Sequence, residues 1–179
     1  MRLKGIFKPS DYTGDPAEIA ELFDYLAPGN SAPEIDKPHT GIAILAHNPR
    51  MARQFASLSR FLVLETGWAQ QRADLRELAF LTLNRHFKSD FSLAARRPHA
   101  LAAGISEAMI AGFPDPGLFD AEQRLVIDYT QAVVTGEVPG ELFDRAVARF
   151  GEKGVVELTT VIGFWSAWAM IINAADPKP

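Results

Sequence analysis

The feature that most constrains this chain is the spacing of its apolar residues. From Pro16 to Ala174 they recur three and four residues apart, and polar caps, prolines and glycines cut the pattern into runs of helix length. No segment alternates apolar and polar residues as a half-buried strand requires. The chain therefore reads as all-α, a multi-helix bundle of about eight helices.

The punctuation sets the expected elements. Residues 1–14 read as an extended arm. Asp15 can cap a first helix, Pro16 suits its first turn and Glu18 completes a capping box, with Ile19, Leu22, Phe23 and Leu26 as the apolar face. Residues 28–37, rich in Pro, Gly and Asn, form a loop, either an ordinary connection or a lid or subunit-exchange arm. A short helix is expected over 40–46. Asn48 caps the next, Pro49 fills its first turn, and Gly67 is placed to end it in the left-handed conformation. Helices over 73–87 and 90–103 follow, the second ended by Gly104, capped by Ser89 and kinked at Pro98. Ser106 caps a short turn, residues 114–117 form a surface loop, and Asp120 with Gln123 opens a helix that stops at Gly136. A short amphipathic helix over 141–150 and a last helix over 154–174 complete the chain.

At 179 residues, 47% of them hydrophobic, one domain spanning 1–179 is the natural expectation, with an arm, helix and loop over 1–39 and a core over 40–176. Phe164, Trp165, Trp168, Met170 and Ile171 offer more apolar surface than one facing helix needs, which suggests contacts between subunits. The net charge is -4 and no stretch masses basic residues, which argues against a nucleic-acid surface. With no cysteine, the chain supplies no disulfide, thiol nucleophile or thiolate ligand, and its composition fits a reducing compartment. Residues 1–7 carry charges with no long apolar run behind them, so no secretory leader is expected. The apolar run over 155–175 holds Glu157, Thr159, Thr160, Ser166 and Asn173, and reads as a buried helix rather than a membrane span. A soluble cytoplasmic protein is expected.

Candidate chemistry concentrates between Arg76 and Gly104. Glu77 lies in an apolar run, where a carboxylate suits a general acid or base; the alternative is an ion pair with Arg76, Arg85 or Arg97 that ties helices together. His86, at the end of the same helix, is a second candidate for moving a proton. Ser89, Ser92 and Arg96 fall on one helical face and, with Arg97, make a candidate pocket with two hydroxyls and guanidiniums able to hold a carboxylate. The alternative is a cap, a small packing residue and surface arginines. The four histidines form no HxxxH or HxxE pair, so no metal site is expected, and nothing implies another cofactor.

The run RELAFLTLNRHFKSDFSLAARRPHALAAGIS, the HNP at His47 to Pro49, the GFPD turn after Ile110 and VVELTTVIGFWSAWAMIINA near the C-terminus resemble the carboxymuconolactone decarboxylase and alkylhydroperoxidase D superfamily over roughly residues 40–176. That resemblance implies an all-helical domain with two central antiparallel helices, assembled as trimers or hexamers, with its pocket around residues 76–104. Glu77 matches the glutamate of the peroxidase branch's proton relay. Ser89 and Ser92 stand where that branch has the cysteines of CxxC, and Phe91 and Arg96 where it has histidines. The decarboxylase-like branch reads Tyr-Glu at Phe91 and Ser92 and His at Arg96. Only Glu77, Arg85 and His86 keep polar character near the implied pocket. The implied function is action on a small organic acid or lactone by acid–base chemistry without thiols. The alternatives are a non-catalytic binding or assembly protein on the same scaffold and a thiol peroxidase, which the missing cysteines oppose.

Overall fold

Proline and short polar side chains start the helices where the sequence places them. In the computed structural model, which describes residues 2–177 (backbone alone at 69 and 70), the α-helices are α1 Pro16–Leu26, α2 Thr40–Leu45, α3 Pro49–Leu64, α4 Gly67–Gln71, α5 Ala73–His86, α6 Asp90–Ala102, α7 Glu107–Gly112, α8 Ala121–Thr135 and α9 Gly140–Ala175. No strand occurs among the described residues, so the fold is all-α. Asp15 accepts the Ala17 N–H at 2.9 Å, Asn48 accepts that of Met51 at 3.1 Å, and Ser106 that of Met109 at 3.2 Å. Asp120 and Gln123 complete a reciprocal capping box at the start of α8, and Gly136 ends it with φ 86°.

Two local expectations, at Gly67 and Ser89, are corrected. Gly67 does not end α3 in a left-handed conformation; α3 stops at Leu64 and Gly67 is the first residue of α4, after Thr66 in extended backbone. Ser89 occupies the cap position of α6, but its hydroxyl bonds the Ser92 side chain instead of a backbone N–H. As expected, α6 holds Pro98 in its interior and runs on to Ala102; Ala94, whose carbonyl would have met the missing N–H, and Pro98 are both exposed, so water can take that acceptor. The two helices expected over 141–150 and 154–174 are both present; they meet across a kink at Gly151, with φ 72° and ψ 167°, and are labelled together as α9. Those dihedrals belong to a region that only glycine visits readily.

The chain forms two compact units, residues 2–61 with 171–177 and residues 62–170. In the first, the N-terminal arm is bound to its neighbours. The Arg2 N–H donates to Ala175 O, Ile6 N–H to Ala43 O and Ile35 N–H to Phe7 O. Buried Ile19, Leu22 and Phe23 anchor α1 in that unit.

The second unit is built on α5, which packs chiefly against α8 and α6. Leu75 and every residue from Glu77 to Asn84 are buried, so α5 is enclosed on all sides. Its Leu75, Leu78 and Leu81 join Val126 and Tyr129 of α8 and Leu158 and Ile162 of α9 in one apolar cluster; Phe80 and Leu83 join Val161 and Ala169 in another. By length and composition α9 could cross a bilayer; 39% of its most apolar window is buried in protein. Of the surplus residues, Phe164, Trp165, Trp168 and Ile171 are half-buried and Met170 is exposed.

Candidate functional site

Enclosing α5 on all sides puts any polar residue of its middle turns into the core, and Glu77 is such a residue. Its side chain is 0% exposed. A carboxylate at that depth needs partners, since an unpaired buried charge is strongly unfavourable. Two guanidiniums supply them. Arg76, its neighbour in α5, places Nε and Nη2 each 3.2 Å from Glu77 Oε1. Arg96 reaches across from α6, donating from Nε to Oε2 at 3.0 Å and from Nη2 to Oε1. The Arg96 contact is a two-point fork on the carboxylate, the strongest form of such a pair.

Aromatic rings line this centre. The Arg96 guanidinium lies 4.8 Å from the Phe80 ring centroid, and the Phe80 ring packs on Trp165 of α9 with centroids 4.6 Å apart. Two positive groups and one negative group leave the cluster formally one charge positive. The Arg96 side chain is 23% exposed, and its Nη1 group donates to no acceptor among the described residues.

The chain matches no protein-family model, no curated protein and no solved structure. The likeness to the carboxymuconolactone decarboxylase superfamily therefore stands on the motifs of residues 40–176 alone.

The remaining candidates separate into two groups. Ser89 and Ser92 are both buried and bonded to each other, Oγ to Oγ at 2.9 Å; helical spacing sets Ser92 on the same side of α6 as Arg96. His86 and Arg97 lie apart from the cluster. His86 is exposed, its Nδ1 3.3 Å from Gln131 Nε2 and its ring edge-on to Phe87; nine residues of helix put it about 13 Å along α5 from Glu77. Arg97 pairs with Glu107 on the surface at 2.6 Å, with both side chains more than half exposed. Arg85, a candidate partner for Glu77 in the sequence, instead donates to Ile110 O at 2.7 Å and lies 5.0 Å from the Phe113 ring centroid. Among the described residues no group of three His, Asp or Glu side chains is arranged to hold a metal ion.

Sequence reasoning missed Arg96 as the partner of Glu77, although its arginine neighbour was considered. It also missed a second centre of the same pattern. Glu122 of α8 is held between Arg72, just before α5, and Arg149 of α9. Arg72 also forks onto Asp74 at 3.1 and 2.9 Å. Burial pushes the Asp74 carboxyl up, but the Arg72 hydrogen bonds and charge outweigh it and hold the group below its ordinary value. The Arg72 guanidinium is correspondingly raised, chiefly by the Asp74 hydrogen bond. Nothing in the spacing of residues 72, 122 and 149 signals this meeting.

Proposed function

We propose that this chain is a carboxymuconolactone-decarboxylase-like protein that binds and acts on a small organic acid or lactone at the α5–α6 cluster, by acid–base chemistry without thiols, as a trimer or hexamer. The observation that carries the reading is the Arg96 guanidinium. One edge is held by the buried Glu77, while the Nη1 donors are unused among the described residues and the side chain is partly exposed beside the Phe80 ring. A ligand carboxylate or lactone carbonyl would accept from Nη1; since the Phe80 ring is enclosed, an apolar ligand body would lie on the half-buried Trp165 that packs against it. If Arg96 turns further toward the ligand, Glu77 loses part of its guanidinium shell and becomes free to accept a proton. The cationic pair would then stabilise the enolate-like charge of a decarboxylation or lactone isomerisation. Self-assembly is supported by Met51, Leu58 and Phe61, exposed large apolar residues that recur seven and three residues apart on α3.

A second reading, a non-catalytic binding or assembly protein, is favoured by a specific observation. Both Glu77 oxygens already accept guanidinium N–H groups and His86 stands well away, so no proton-transfer group is idle at the cluster. The thiol peroxidase reading is opposed by the absence of cysteine.

The deciding experiment titrates the pure protein with small aromatic acids, muconolactones and other lactones, following thermal shift and calorimetric heat, and then looks for product by NMR. The expected result is binding that Arg96→Ala abolishes and turnover that Glu77→Gln abolishes. Binding without turnover would select the second reading. Binding untouched by Arg96→Ala would remove the cluster from either. Hydroperoxide turnover with a dithiol reductant, lost in Glu77→Gln, would reinstate the peroxidase.

A further inference from the structure

The first unit contains a groove of about 330 Å³ between the N-terminal arm, α1 and the loop that follows α1. Its size suits a ligand of about ten non-hydrogen atoms. Pro9 and Tyr12 of the arm, Ile19 and Phe23 of α1 and Pro33 of the loop line it. Asp24 is the sole charged side chain that lines it. Asp24 is exposed, and no cation or hydrogen-bond donor reaches its carboxylate among the described residues.

The arm and the loop are held in place before any ligand arrives. Asp11 accepts the Phe7 N–H at 3.1 Å and that of Lys8 at 3.3 Å, and the Tyr12 N–H donates to Pro9 O at 3.2 Å, which closes the turn Pro9–Asp11. Tyr12 folds back over Gly14 so closely that a Cβ there would lie 2.5 Å from the ring and its hydroxyl. The loop is set by Asn30, whose Oδ1 accepts the Ala32 N–H at 3.0 Å, after Gly29 turns the chain at φ 73°. Such preorganisation lowers the ordering cost of binding.

We propose that this groove binds a small organic ammonium ion with an apolar body, its charge set against Asp24 and its body among Tyr12, Phe23 and Pro33. An unpaired carboxylate in a groove otherwise lined by uncharged residues attracts a cation and repels a carboxylate. The groove is thus opposite in sign to the Arg96 cluster and does not depend on it.

The test titrates 2-phenylethylamine and its neutral counterpart 2-phenylethanol into the full chain, followed by protein NMR shifts and calorimetry. The amine is expected to bind about fivefold more tightly than the alcohol, the size appropriate to an exposed ion pair. Asp24→Asn, a conservative change at an exposed position, removes that preference. Ala20→Trp, which fills the groove from the exposed side of α1, removes binding of both. Absence of amine binding, or an amine preference that survives Asp24→Asn, overturns the proposal.

Discussion

The Glu77 cluster separates two arginines that are neighbours in sequence. Arg96 forks onto a fully buried carboxylate, and Arg97 donates from Nη2 alone to an exposed one. Arg96→Ala leaves the buried carboxylate with Arg76 alone and Oε2 without its donor, and is expected to lower stability by about 3 kcal/mol. Arg97→Ala is expected to cost under about 0.5 kcal/mol, since solvent screens its pair. Urea unfolding of both variants decides the matter; equal losses would mean that burial at Glu77 has no energetic consequence. Asp74 makes a prediction about acid. Its folded carboxyl titrates below its ordinary value of 3.8, so the stability it contributes is present above that pH and is lost as pH falls through the folded value. Asp74→Asn should therefore cost about 1 kcal/mol at neutral pH, after allowance for partial exposure, and nothing once the pH is well below 3.8. Thermal melts of both proteins from pH 7 to pH 2 should converge. A gap that persists at the acid end would reject the pairing as its source. The residue types of the cluster were legible in the sequence, because a Glu in an apolar helix demands a cation. Which cation was not, because Arg76, Arg85, Arg96 and Arg97 all stand at plausible separations along the chain.

Among the elements, α9 shows how one glycine shapes a helix and another merely weakens it. Gly151 sits at φ 72° and ψ 167°, whereas Gly163 is a helical, exposed residue with nothing within 4 Å of the place its Cβ would take. Gly151→Ala is expected to destabilise by about 2 kcal/mol, because the added Cβ strains that backbone. Gly163→Ala is expected to stabilise by up to about 1 kcal/mol, by restricting the unfolded chain and favouring helix. Chemical denaturation should give shifts of opposite sign; two shifts of the same sign would contradict the assignment. Helix starts at Asp15, Asn48, Ser106 and Asp120 could be read directly, since a cap is chemistry within three residues of chain. The Gly67 and Ser89 expectations failed for a reason of the same scale. Gly67 had a choice between ending one helix and beginning another, and the Ser89 hydroxyl between a backbone N–H and Ser92. Spacing does not rank such options.

For the whole molecule, the exposed large apolar residues predict self-association. Sedimentation at equilibrium should give a mass at a multiple of 19.7 kDa, and Leu58→Asp with Phe61→Asp, both at exposed positions of α3, should shift it toward the single chain. A single-chain mass at micromolar concentration would remove the trimer or hexamer from the proposed function. The all-α class followed from local pattern, because a three-to-four residue apolar rhythm with caps can be satisfied only by helices. Enclosure is a different kind of property. That α5 would be buried on every side, carrying Glu77 into the core against Arg96, and that residues 72, 122 and 149 would meet, was decided by helices packing across long stretches of chain. Periodicity describes one helix at a time, while an ion pair between helices depends on their relative rotation and height, which only the packed core sets.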